Sequence, residues 1–147
     1  MRSAGGWYSG DVSTVLVVQP DPTLNEAWSH SLSVRGHEVL AVSGVLAGIE
    51  RAREGGIDVV VVDSYDTSGA VAELVSELDR LPDAPPLILV SSSPHAPELS
   101  AHIGAAAFVV KPCEPEDLVA EVQRVASVAV RRLVHVHGRG DLRRGRH

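Results

Sequence analysis

Residues 15–22 read VLVVQPDP, an apolar run followed by a polar turn. A continuous Val-rich run of this length is typical of a strand buried on both faces, as in a parallel sheet. The run stops at Gln19, so Gln19, Pro20 and Asp21 are expected at the carboxyl end of the strand. In an open α/β sheet, ligands bind beside such carboxyl ends. An uncharged pair, Gln and Pro, therefore stands where a binding site is expected.

Four more apolar runs follow, and segments with helical periodicity separate them. This alternation predicts a parallel sheet with helices on both faces and right-handed crossovers. The predicted fold class is therefore α/β, a (βα)5 doubly wound parallel sheet in a single domain. The predicted strands are Thr14–Val18, Glu38–Val42, Asp58–Val62, Leu87–Val90 and Ala106–Val110.

The ends of the first predicted helix carry sequence signals. Pro22 suits a first helical turn, and Thr23 and Glu26 have the spacing of a capping box. Gly36 is typical of a residue that ends a helix. The predicted helices are a first one that opens at Asp21-Pro22-Thr23 and ends at Gly36, followed by Val45–Arg53, Ala70–Leu81, Pro97–Ile103 and Glu114–Leu133.

The composition indicates a cytoplasmic protein. A chain of 147 residues suits one domain with a hydrophobic core. The single cysteine, Cys113, excludes an internal disulfide and fits a reducing compartment. No apolar run approaches the roughly 18 residues that would span a membrane, and the N-terminus lacks the apolar core of a signal peptide. We therefore expect no membrane partner.

Charge divides the chain into an acidic body and a basic tail. Residues 12–130 contain 17 acids against 6 Lys or Arg, whereas residues 131–147 contain six Arg and one Asp. The acidic body argues against direct nucleic-acid binding. The tail has too little apolar content to fold on its own. We expect a flexible N-terminal segment at 1–11, one domain at 12–132 and a disordered basic tail at 133–147.

Polar side chains stand at the ends of several predicted strands. Asp63 follows the third strand, Ser91 and Ser92 follow the fourth, and Lys111 follows the fifth. These ends can meet at one edge of a parallel sheet. A carboxylate can act as a nucleophile toward a phosphoryl group, and a lysine and a hydroxyl can hold the phosphoryl oxygens. Such chemistry usually also needs Mg²⁺ held by further oxygen ligands.

At these residues the sequence resembles the receiver domain of two-component response regulators, the CheY-like family. The resemblance covers about residues 12–132, and its most specific motif is GAAAFVVKP at 104–112. It implies a flavodoxin-like fold with strand order 2-1-3-4-5 and phosphorelay signalling from a histidine kinase. It also implies a protein partner on the α4-β5-α5 face and leaves a homodimer through that face open. The implied roles are a phosphoacceptor at Asp63, a switch hydroxyl at Ser91, a switch aromatic at Phe108 and a site lysine at Lys111.

The sequence departs from the family pattern at two places. Receivers usually carry a pair of acids after the first strand that bind Mg²⁺, and here these positions match Gln19 and Pro20. Asp21 or Asp66 could replace a missing ligand only in part. The loop after Asp63, residues 64–69, lacks the Pro that the family usually has and has its Gly early. These departures predict an impaired Mg²⁺ site.

We therefore predict an atypical receiver, or pseudo-receiver, a regulatory module rather than an enzyme, which acts by docking to proteins. One alternative is a conventional receiver that is phosphorylated on Asp63. A second is a small flavodoxin-like protein that binds a nucleotide or flavin, although no Gly-rich phosphate loop follows the first strand.

Several single residues also allow plainer interpretations. Ser91 lies in a run of three serines that could be an ordinary polar loop, and Phe108 could be plain core. Cys113 is best explained as a small residue near a helix start. Four scattered histidines are predicted to be solvated: His30, His37, His95 and His102.

Overall fold

The computed structural model describes residues 13–64 and 70–128. Its centre is a five-stranded parallel sheet with the order β2-β1-β3-β4-β5. The predicted fold class and strand order are therefore confirmed. The strands are β1 (Thr14–Val18), β2 (Glu38–Val42), β3 (Val59–Ser64), β4 (Leu87–Ser91) and β5 (Ala107–Val110).

The helices connect these strands in strict alternation. Their bounds differ from the predicted ones by at most two residues at each described end, and Val45–Arg53 is matched at both ends. The helices are α1 (Pro22–Val34), α2 (Val45–Arg53), α3 (Ala70–Asp79), α4 (Ala96–Ile103) and α5, whose described part covers residues 115–128.

The start of α1 corrects the predicted capping box. The N-cap is Asp21, whose Oδ1 accepts hydrogen bonds from the backbone N–H groups of Thr23 at 2.9 Å and Leu24 at 3.1 Å. With Pro22 in the first turn, the helix begins two residues earlier than a cap at Thr23 would require. The Asp21 side chain therefore serves the helix that follows it.

The end of α1 corrects a second prediction, the solvated position of His37. Gly36 has a φ of 93°, and the N–H of His37 reaches back to the Leu32 carbonyl, which is a Schellman-type helix end. This turn brings the His37 ring under the start of β1, where it is only 4% exposed. Its Nδ1 accepts a hydrogen bond from the N–H of Ser13 at 3.1 Å.

The sheet separates two hydrophobic cores. Side chains alternate between the two faces of β1, so Val15 and Val17 lie in one core with Trp28 of α1, while Leu16 lies in the other core with Leu74 of α3. All five residues of β4 are buried. Burial on both faces explains why the central strands are continuous apolar runs.

The third and fourth strands continue further than the apolar runs predict. Asp63 pairs with Val90 and Ser64 with Ser91 in the parallel ladder. The main chain thus holds Asp63 and Ser91 as part of the sheet. This placement buries both residues, to 5% and 1% exposure.

Some sequence predictions fall outside the described residues. These are the domain boundaries, the N-terminal segment at 1–11, the basic tail at 133–147, the end of the last helix at Leu133 and a ligand role for Asp66. Among the residues that the structure does describe, no helix combines the length and the apolar character needed to cross a membrane.

The turn after α4 provides a test of the backbone in the GAAAFVVKP motif. Gly104 has a φ of 80°, and a methyl group added there would meet nothing within 4 Å. Gly104→Ala should therefore lower the free energy of unfolding by about 1 kcal/mol through backbone strain alone.

Urea denaturation measures this change, and Gly104→Asn is the matched control because Asn tolerates the left-handed region better than Ala. The Asn variant should lose less stability. Equal stability of the Ala variant and the native sequence would mean that this turn does not depend on a left-handed residue.

Candidate functional site

The Asp63 carboxylate lies at the end of β3, and its side chain has no exposure to solvent. Lys111 Nζ contacts both of its oxygens, at 2.9 Å from Oδ1 and 3.0 Å from Oδ2. Gln19 Nε2 donates a third hydrogen bond to Oδ2 at 2.7 Å. The structure thus brings Asp63 together with two residues that are distant in the sequence. Gln19 is 44 positions from Asp63, and Lys111 is 48 positions from it.

Lys111 is positioned by the end of the sheet. Its backbone N–H donates to the Ser91 carbonyl at 2.9 Å, which continues the pairing of β5 with β4 by one residue. Its peptide bond to Pro112 is cis. The side chain is 20% exposed, so the ammonium lies between solvent and the buried carboxylate. Removing one partner from a buried ion pair generally costs about 3–5 kcal/mol, because the other charge is left uncompensated.

Gln19 is fully buried, and both ends of its amide are hydrogen bonded. Its Oε1 accepts the N–H of Asp21 at 2.9 Å, while its Nε2 faces Asp63. The opposite amide orientation would set an oxygen against the carboxylate and an NH₂ group against an N–H donor. The two neighbours therefore fix which end of the amide faces Asp63.

The residues at the expected Mg²⁺-binding positions after β1 provide few oxygen ligands for a cation beside Asp63. Pro20 is exposed and has no polar side-chain atom. Asp21 uses its carboxylate to cap α1. Among the described residues, the side chains that contact the Asp63 carboxylate supply N–H donors, from Gln19 and Lys111, whereas Mg²⁺ requires oxygen ligands. Within 13–64 and 70–128, no three His, Cys, Asp or Glu side chains form a group that could hold a metal ion. The N–H donors that contact Asp63 in these ranges do not fit Mg²⁺.

The two predicted switch residues occupy different environments. Ser91 is buried, and its Oγ accepts the N–H of Ser93 at 3.0 Å. Phe108 is 38% exposed on β5, so it is not plain core. Neighbouring Ser92 is exposed. Ser91 thus lies at the site edge beside Lys111, whereas Phe108 contributes to the molecular surface.

Asn25 on α1 is a site residue that the sequence reasoning missed. Its Nδ2 donates to the carbonyls of Gln19 at 3.0 Å and Val42 at 3.1 Å, and so joins α1 to the ends of β1 and β2. The only available signal was a polar residue next to the apolar stripe of α1, which is too common a pattern to indicate this contact.

Two surface depressions border the site. One, of about 580 Å³, lies between the starts of α1 and α2, and Gln19, Asn25 and Ser43 contribute to its lining. The other, of about 440 Å³, is lined partly by Trp28, Lys111 and Cys113. Burial raises the pKa of the Cys113 thiol, and the charge of Asp117 adds to the rise, so the reactive thiolate is disfavoured at neutral pH.

Comparison with known proteins agrees with this fold. Residues 15–123 match the model of the response regulator receiver domain family. The transcriptional regulatory protein YkoG of Bacillus subtilis is 25% identical over 111 residues, which cover 74% of this chain and 49% of YkoG. The chain thus spans about half the length of this curated relative.

Solved structures give the same result. The signal receiver domain of a histidine kinase from Syntrophus aciditrophicus is 26% identical, with a TM-score of 0.68 over 78% of this chain and 90% of that one. A CheY-like receiver domain protein from Methanospirillum hungatei reaches a TM-score of 0.72 at 19% identity, over 82% and 98% of the two chains. The second likeness bears on the fold alone.

The family match covers well over half of the chain, and the observed strand order is the one that the resemblance implies. Receiver domains are regulatory modules of two-component signalling systems. The chain belongs to the response regulator receiver domain family.

Proposed function

We propose that this chain is an atypical receiver, in which an amide takes the place of a metal ligand and which acts by docking to other proteins. The observation that carries the proposal is the 2.7 Å hydrogen bond from Gln19 Nε2 to Asp63 Oδ2. It puts a neutral N–H donor beside the carboxylate, where the family usually has acids that bind Mg²⁺. In this proposal, Lys111 compensates the charge of Asp63, and Gln19 supplies a further hydrogen bond.

Electrostatics opposes phosphoryl transfer in such a site. A phosphoryl donor is anionic, and it would have to approach a carboxylate whose cationic partner is Lys111. A divalent metal ion supplies several kcal/mol of stabilisation to the transition state in phosphoryl transfer. Because about 1.4 kcal/mol changes a rate tenfold, loss of the metal would slow transfer by orders of magnitude.

Divalent cations would also bind weakly. A cation at Asp63 Oδ2 would have to displace the Gln19 N–H that points at this oxygen. It would further be repelled by the Lys111 ammonium 3.0 Å from the same atom. These two costs apply to any divalent ion at this position. The weak binding is therefore a property of the surrounding donor groups rather than of Mg²⁺ in particular.

Exposed apolar side chains support the docking role. Phe108 and Val110 on edge strand β5 are 38% and 49% exposed, and Val128 on α5 is 39% exposed. They lie on the elements that receivers generally present to partners. We assign this face to a protein partner of the signalling system, either a histidine kinase or another signalling protein, and a second copy of the chain would use the same face.

One observation favours the conventional alternative. The contact of Lys111 with both oxygens of Asp63 is the arrangement that a phosphoacceptor site also needs. Phosphorylation of Asp63 is therefore the second candidate. For a flavin- or nucleotide-binding protein, in contrast, the described residues provide no supporting observation.

Acetyl phosphate distinguishes these two candidates. The full chain is incubated with acetyl phosphate and Mg²⁺, and the added phosphate is measured by intact mass. We expect little or no adduct on the native chain, because the cation that would offset the charge of the donor is held poorly. The variant Gln19→Asp/Pro20→Asp, which restores the acid pair, should form the adduct.

Asp63→Asn is the control for this experiment in both backgrounds. Any adduct on Asp63 disappears in this variant. A full adduct on the native chain that is lost in Asp63→Asn would refute the atypical interpretation and establish the conventional one.

Metal binding is tested separately by tryptophan fluorescence. Trp28 is 3% exposed and lines the depression beside Lys111. A Trp7→Phe background makes Trp28 the only indole, because the chain has two tryptophans. Titration with Mg²⁺ should leave the native site without a saturable signal, whereas Gln19→Asp/Pro20→Asp should show one. Saturation of the native site at micromolar Mg²⁺ would contradict the weak binding that we propose.

A further inference from the structure

A continuous chain of hydrogen bonds leads from Asp63 to the start of α1. Asp63 Oδ2 accepts from Gln19 Nε2, and Gln19 Oε1 accepts from the N–H of Asp21. The carboxylate of Asp21 then accepts the N–H groups of Thr23 and Leu24 in the first turn of the helix. Each link is between 2.7 and 3.1 Å.

A second contact fixes the other side of Gln19. Asn25, one turn into α1, donates from Nδ2 to the Gln19 carbonyl and the Val42 carbonyl. The N–H of Gln19 also donates to the Val42 carbonyl at 3.1 Å. The main chain of Gln19 is therefore held by hydrogen bonds to Asn25 and Val42, and its link to Asp63 runs through the side chain.

We propose that Gln19 couples the chemical state of Asp63 to the N-terminus of α1. The amide has opposite polarity at its two ends, so it can satisfy both neighbours only in one orientation. If the Asp63 carboxylate is lost as an acceptor, the buried Nε2 loses its partner, and the side chain rotates to find another. That rotation removes Oε1 from the Asp21 N–H and loosens the cap of α1.

An acid at position 19 could not provide this coupling. A carboxylate has no N–H to donate and would repel Asp63 unless a cation lay between them. Gln19 in place of an acid thus removes a metal ligand and, at the same position, provides the hydrogen-bonded link between Asp63 and α1. The coupling goes beyond the proposed function, because the hydrogen bonds do not depend on whether Asp63 accepts a phosphoryl group.

The coupling reaches a different surface from the one that the family resemblance implies. Gln19 lines the depression between α1 and α2, together with Pro22, Glu26 and Ser43. Ser91, in contrast, has its Oγ bonded to the N–H of Ser93 within its own loop. A change at Asp63 is therefore read out at the α1 start, on the side of the sheet edge away from β5.

Amide hydrogen exchange measured by NMR on the full chain tests this coupling through a double-mutant cycle. Asp63→Ala should speed exchange at the N–H groups of Asp21, Thr23 and Leu24 by roughly five- to tenfold, the change expected for loss of about one hydrogen bond. In a Gln19→Leu background these amides exchange fast already, and adding Asp63→Ala should change them no further.

Two references separate local from global effects. The N–H of Val60, paired within the sheet, reports global unfolding, so rates at α1 are compared with the rate at Val60 even where a variant is less stable. Ser91→Ala is the matched control: it should affect the N–H of Ser93 and leave the α1 amides unchanged.

Two outcomes would overturn the inference. In the first, Asp63→Ala leaves the α1 amides unchanged relative to Val60. In the second, it changes them by the same factor with Gln19 and with Leu at position 19, because the effect would then reach α1 by a route that does not include the amide.

Discussion

A carboxylate with no solvent exposure has to find its hydrogen bonds and its charge balance inside the protein. Asp63 meets this requirement with an ammonium from Lys111 and an amide from Gln19. The requirement links three strand ends, because β3 carries the acid, β1 leads into the amide and β5 leads into the lysine. Any change to one of the three residues leaves a buried polar group without part of its compensation, and this makes the arrangement a unit.

The parallel sheet makes this unit possible. All five strands end at the same edge, so residues far apart in the sequence meet there without any local contact in the chain. Because the strand ends converge, their polar side chains must fit beside an otherwise apolar core. The two cores on either side of β1 are closely packed and leave these side chains little room to move. The packing of the two cores therefore supports the geometry that the hydrogen bonds define.

The sequence predicts the fold well because its strands and helices have clear and different periodicities. The bounds of β1, β2 and α2 are those that the pattern predicts. The site is less predictable, since hydrogen bonding decides it. From the sequence, Gln19 is only a residue at a position where receivers usually have an acid. The hydrogen bond that it donates to Asp63 is visible only in the structure.

Local competition explains the smaller errors. Asp21 and Thr23 could each have capped α1, and the position of Pro22 decides in favour of Asp21. Histidine is usually exposed or intermediate, so the burial of His37 could not be read from a residue that follows a glycine. It results from the geometry of the turn. Asn25 likewise acts through a helix orientation that is set by tertiary packing.

The short edge strand gives the ion pair another consequence. β5 has four residues and lies at one end of the sheet, where β4 is its partner strand among the described residues. The bond between Lys111 and Asp63 anchors the carboxyl end of this strand to the middle of the sheet by charge. An open strand edge is where another polypeptide can add to a sheet. A protein that joined the sheet along β5 would therefore bind beside a strand whose carboxyl end is already held to Asp63 through Lys111.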